Sequence, residues 1–109
     1  MLNILDQITF KVEKNDIVAV GPSELNSITE TLNDIWAVSL WQSALDTIAG
    51  KKPFPYWTGG DSMEIQVEED GTWFREQEGW RHSDGIKLSN EETEKLISRF
   101  IEAKEKLES

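Results

Sequence analysis

Met63-Glu64-Ile65-Gln66-Val67-Glu68-Glu69-Asp70-Gly71-Thr72-Trp73-Phe74-Arg75-Glu76-Gln77 is the stretch that decides the fold. Met63, Ile65 and Val67 alternate with Glu64, Gln66 and Glu68, the period of two that a half-buried strand requires. Glu69-Asp70-Gly71 is a hairpin turn signal ending in Asp-Gly. Residues 72–77 then return as the second strand, with Phe74 on one face and Trp73 on the other. Two strands joined so closely pair antiparallel and need no crossover helix.

Toward the C-terminus, Gly79-Trp80-Arg81-His82-Ser83-Asp84-Gly85 is less regular, and Ile86-Lys87-Leu88 adds a short edge strand. Ser89-Asn90-Glu91-Glu92 matches the capping box, in which Ser and Glu satisfy free backbone amides at a helix start. Leu96, Ile97, Phe100, Ile101, Ala103 and Leu107 form one helical stripe beyond it, with Glu and Lys on the opposite side. Glu91 with Lys95, and Glu102 with Lys106, are favourable pairs four residues apart.

Toward the N-terminus, Pro53-Phe54-Pro55-Tyr56-Trp57-Thr58-Gly59-Gly60 is an aromatic connector whose prolines and glycines exclude regular helix. Before it, Leu25, Ile28, Leu32, Ile35, Trp36, Leu40, Trp41, Leu45 and Ile48 recur at spacings of three and four. That pattern predicts a central helix over 23–49, whole or in two pieces, with the apolar stripe shifting at 37–39. Ser23 or Ser27 is its candidate cap and Gly50 its C-terminal stop. Trp36 and Trp41 are both expected in the core. Ile8, Phe10 and Val12 alternate with polar neighbours, Lys14-Asn15-Asp16 reads as a turn, and residues 17–20 return as a second strand. The order β-β-α-β-β-(β)-α predicts a single α+β domain over 1–109. A mainly antiparallel sheet of four to five strands would carry a long central helix and a C-terminal amphipathic helix.

With 109 residues the chain has room for one modest core, burying roughly 60–70% of its unfolded surface. Five Trp, four Phe and one Tyr argue against disorder. There are no cysteines, so disulfides and thiolate metal sites are excluded, and the fold is compatible with a reducing compartment. Neither a membrane-spanning run nor the basic start of a signal peptide is apparent, which makes the cytoplasm the expected location. Eleven basic against 21 acidic side chains give a net charge of −10, which disfavours nucleic acid and anionic membranes as partners.

Catalytic chemistry finds little purchase. His82 is the lone imidazole, and a zinc site there would need three carboxylates beside it. Asp61, Glu64 and Glu68 lack the spacing of a calcium loop, and Glu64, Gln66 and Glu68 read as one solvated strand face. No nucleophile elbow exists, and Gly59-Gly60 lacks the lysine of a phosphate loop. No cofactor is implied, and an enzyme is the weaker reading. More informative is the run over 61–78, where Asp61, Glu64, Glu68, Glu69, Asp70, Glu76 and Glu78 face one Arg75. Trp57, Trp73 and Trp80 flank or interrupt it. Carboxylates interleaved with large rings suit a surface that meets a basic protein: the charges speed encounter and the rings anchor the complex. The alternative is that these rings pack into the core while the acids solvate the chain.

The run Gly59-Gly60-Asp61-Ser62-Met63-Glu64-Ile65-Gln66-Val67, the hairpin, and Ile86-Lys87-Leu88-Ser89 leading into a terminal helix resemble small immunity proteins of bacterial polymorphic and contact-dependent toxin systems. The resemblance covers roughly residues 57–107 through element order and acidity. It implies a compact cytoplasmic bacterial protein that binds and neutralises one cognate toxin domain, frequently a basic nuclease, and it transfers no site residue by motif. The expectation is therefore a non-catalytic inhibitor of a basic toxin, with Trp57, Trp73 and Trp80 as anchors and the carboxylates over 61–78 as charge partners. A self-associating structural or accessory protein, with the aromatic connector buried in a homodimer, is the alternative.

Overall fold

The computed structural model of the chain describes residues 3–77 and 85–108. Its elements run α1 (Ile4–Gln7), β1 (Thr9–Glu13), β2 (Asp16–Val20), a 3-10 turn (Ser23–Leu25), α2 (Asn26–Asp34), α3 (Val38–Ile48), β3 (Tyr56–Gly59), β4 (Met63–Glu68), β5 (Gly71–Glu76), β6 (Ile86–Leu88) and α4 (Asn90–Glu108). The fold is α+β, with every strand pairing antiparallel. The strands divide into a two-stranded sheet, β1-β2, and a four-stranded sheet in the order β3-β4-β5-β6.

The central hairpin pairs as its alternation requires. Ile65 lies opposite Phe74 and Val67 opposite Thr72, and all four are fully buried. Leu88 faces Thr72 from β6, completing the apolar face on which the helices pack. α2 and α4 each contact both β2 and β5, so they tie the small sheet to the large one. Phe100 of α4 is the hinge of that packing: its ring centre is 5.6 Å from Phe10 and 6.1 Å, edge-on, from Trp41.

The helix ends follow their sequence signals unevenly. The amide of Glu92 donates to the Ser89 hydroxyl at 3.1 Å, the serine half of the capping box, while the Glu92 carboxylate accepts from that hydroxyl rather than from the Ser89 amide. Past α3, Gly50 takes φ +83°, its amide donates to Thr47 O, and the Lys51 amide donates to Asp46 O. That pair of bonds is the Schellman arrangement, closed by a residue without Cβ strain. Neither serine expected to cap the central helix supplies a side-chain cap at the 3-10 turn or at α2.

The central helix takes the second of the two forms its pattern allows: it is two pieces, broken over 35–37, where Ala37 is extended at φ −75°, ψ 113°. The break corrects the expected place of Trp36, which is 72% exposed, whereas Ile35 and Trp41 are buried. Trp41 donates its indole N–H to the Ile35 carbonyl, so the interruption is satisfied from within the core. Part of the aromatic connector is a strand, β3, and a short α1 precedes the first hairpin. Val12, next to the β1-β2 turn, lies beyond the Phe10–Phe100 contact and is 62% exposed.

Candidate functional site

Alternation divides the large sheet into two faces. Tyr56, Thr58, Met63, Ile65, Val67, Thr72, Phe74, Ile86 and Leu88 share the face that meets the helices, which leaves their neighbours on the other. The register then builds one row across all four strands: Trp57 opposite Gln66, Gln66 opposite Trp73, and Trp73 opposite Lys87. A second row runs Gly59, Glu64, Arg75. Side chains in such rows stand about 4.5–5.5 Å apart at Cβ, close enough for every neighbour to interact.

Those rows form a connected polar network. Gly59 places no side chain beside Glu64, and the Trp57 indole reaches diagonally to donate its N–H to Oε2 of Glu64. The Arg75 Nε lies 3.8 Å from the same oxygen, and its Nη2 donates to Oε1 of Gln66. Gln66 in turn donates to Glu68 at 3.0 Å. Glu64 and Arg75 are both buried, so the solvated-face reading of Glu64 is corrected: an ionised carboxylate there needs the donors that surround it. Trp73 is half-buried between two cations, with the Arg75 guanidinium 6.0 Å and the Lys87 ammonium 5.7 Å from its ring centre. Lys87 also pairs with Asp70 at 2.8 Å, and that hydrogen bond holds the Asp70 carboxyl below its ordinary value.

Trp57 is the exposed large apolar side chain of this face, at 58%, and Lys87 at the far end of its row is exposed as well. Its position follows from the register, and its orientation from Glu64. Glu69 and Asp70 are exposed at the β4-β5 turn, at one end of the face. Asp61 and Glu76 lie elsewhere: with Glu30, Ser62, Met63 and Gln77 they line a cleft of about 380 Å³ at the opposite end of the hairpin. The floor of that end is fixed by Asp34, the last residue of α2, whose Oδ2 accepts from the amides of Ser62 and Met63, both at 2.8 Å. Glu78, Trp80 and His82 fall outside the described residues.

Of the ten residues singled out from sequence, the eight that are described thus separate into distinct places. Trp57, Glu64, Glu68 and Trp73 share the outer face, Glu69 and Asp70 its turn, and Asp61 and Glu76 the cleft. Sequence reasoning passed over Gln66, Arg75 and Lys87, which link the face together. Their signal was available in the alternation: once Glu68 pairs with Gly71, Gln66 must face Trp73 and Glu64 must face Arg75. Among the described residues, no group of three or more His, Cys, Asp or Glu side chains converges to hold a metal. Chemically, the face offers an exposed indole ring, fixed polar groups of both charges, and two carboxylates at its turn, one of them paired with Lys87. In comparison with protein-family models, curated proteins and solved structures, the chain matches none.

Proposed function

We propose that this chain acts without catalysis, as a stoichiometric inhibitor of a basic protein partner. In its most specific form it is an immunity-type protein of the bacterial cytoplasm, covering the cationic surface that a toxin domain, such as a nuclease, turns on its own substrate. Trp57 carries the reading: a large ring, 58% exposed, stands on the sheet face turned away from the helices and is oriented by a buried carboxylate. An oriented ring loses little side-chain freedom on binding, which is the property of an interface anchor. Glu68 supplies negative charge on the same face and Glu69 at its turn, and the net charge of −10 draws a basic partner in from solution.

The test has two parts. The tagged chain is used to capture partners from its native source at low and high salt, and each captured protein is then expressed with and without the chain. The expected result is one basic protein, retained at equal stoichiometry and weakened by salt, whose toxicity the chain suppresses. Trp57→Ala is expected to weaken that complex at least about tenfold, measured after circular dichroism has shown the variant folded. A partner that is acidic or harmless when expressed alone sinks the inhibitor reading. Unchanged affinity in Trp57→Ala removes this face from it.

A further inference from the structure

The β1-β2 ribbon has two outer edges, and among the described residues only one is occupied. On the β2 side, the Asn33 side chain accepts from the Ala19 amide at 2.7 Å and donates to the Ala19 carbonyl at 3.1 Å, taking the place of a third strand. Those bonds fix the phase of the ladder. Ala19 turns its peptide groups away from β1, so its cross-strand partner Phe10 turns its own away from β2, and Val12, two residues on, does the same. Among the described residues β2 is the only strand beside β1. Thr9, Lys11, Val12 and Glu13 are all exposed along it.

Charge singles out what fits this edge. The ionisable side chains over 7–22 are Lys11, Glu13, Lys14 and Asp16, which cancel, whereas the whole chain carries −10. The hairpin therefore adds no net like-charge repulsion where two copies meet there. The strand is also its own complement. Laid antiparallel on itself about Val12, it sets Lys11 against Glu13 on both sides of the axis and brings two exposed valines together. Centring the pair on Lys11 instead sets two ammonium groups face to face, which is unfavourable.

We propose that the open edge of β1 pairs with β1 of a second copy, antiparallel, about a two-fold axis at Val12. Val12 then exchanges main-chain hydrogen bonds with Val12 of the partner subunit, and Lys11 forms a cross-strand ion pair with Glu13 of the partner subunit. The pairing leaves the Trp57 face on the other sheet uninvolved, so it stands or falls separately from the inhibitor reading. The short edge makes the association weak and dependent on concentration.

Because the chain has no cysteine, Lys11→Cys and Glu13→Cys proteins each carry a single thiol. The two positions face each other as a non-hydrogen-bonded pair in the proposed register, where Cβ separation suits a disulfide. After circular dichroism has shown both variants folded, they are mixed at high micromolar concentration under mild oxidation. The expected result is a mixed disulfide in about tenfold excess over either symmetric one. A statistical mixture, or a dominant Lys11→Cys symmetric disulfide, overturns the pairing. Sedimentation equilibrium gives the second arm: the unaltered chain is expected to dimerise with concentration, Lys11→Glu to remain monomeric, and Lys11→Glu with Glu13→Lys to dimerise again. An unaltered chain that stays monomeric throughout overturns the proposal, as does a double reversal that fails to recover association.

Discussion

Glu64 shows how much a single residue depends on its surroundings here. It is a carboxylate with 4% of its surface exposed, on a strand face that alternation alone assigns to water. The Trp57 indole and the Arg75 guanidinium make that position tenable. Arg75→Met is therefore expected to cost about 3 kcal/mol, because it leaves a buried charge without its counter-ion. Combined with Glu64→Gln, the loss should be clearly smaller than the sum of the two single losses, as read in a double-mutant cycle by urea denaturation. Strictly additive losses would show that the pair is not coupled. Asp16 offers a second test at this scale. Its carboxylate accepts from the Ile17 amide at 2.8 Å and from Lys104 at 3.3 Å, and the backbone bond is the larger cause of a lowered pKa. A group whose folded pKa is depressed stabilises the fold above its ordinary value of 3.8, and that contribution is lost as pH falls through the folded value. A carboxyl carbon titration by NMR should give a midpoint below 3.8, moved upward in Lys104→Met yet still below 3.8 because the Ile17 bond remains. A midpoint at or above 3.8 in the unaltered chain would contradict this account.

At the scale of elements, the strongest sequence signals are those in which chemistry and geometry coincide locally. The capping box at Ser89 is one: a hydroxyl, a carboxylate three residues on, and a helix that starts between them. Ser89→Ala should lower stability by about 1 kcal/mol, measured by thermal denaturation, and Ser89→Asp should restore most of it. The β4-β5 hairpin is another, since its alternation and its turn agree. The central helix was legible as apolar and as divisible near 37–39, but not the place of its break at 35–37 that turns Trp36 outward, for a physical reason. Trp36 and Trp41 both fit a helical stripe, and only the docking of Asp34 onto the amides of Ser62 and Met63, 28 and 29 residues away, shows why the chain leaves the helix there. β3 was hidden in the same manner. Prolines mask its start, and it exists because β4 offers an edge for Trp57 and Thr58 to pair with. On the outer face, the individual residues could be read from sequence, but their joining into one network needed the register.

For the molecule as a whole, two sheets are held together by side chains rather than by a shared strand. Phe100 touches both halves, through Phe10 of the hairpin and Trp41 beside the large sheet's helices, and Lys104 lies 4.9 Å above its ring. Phe100→Ala should cost about 3–5 kcal/mol and loosen the hairpin and the sheet together, because the void opens between them. Hydrogen exchange would read this as lost protection in β1 and β5 alike. Loss confined to one sheet would mean that the two halves are less coupled than their packing indicates. The separation into two sheets also explains why element order alone could not reveal it: antiparallel hairpins merge or stay apart according to which helices lie between them. The Asn33 amide has one more consequence. A ribbon whose second edge is plugged by its own side chain has a single valence, and joining two such ribbons through that valence consumes it. In the proposed dimer the joined hairpins therefore offer no further edge of their own: strand addition through β1 ends at the pair, and the outer strands β3 and β6 of the other sheet take no part in it.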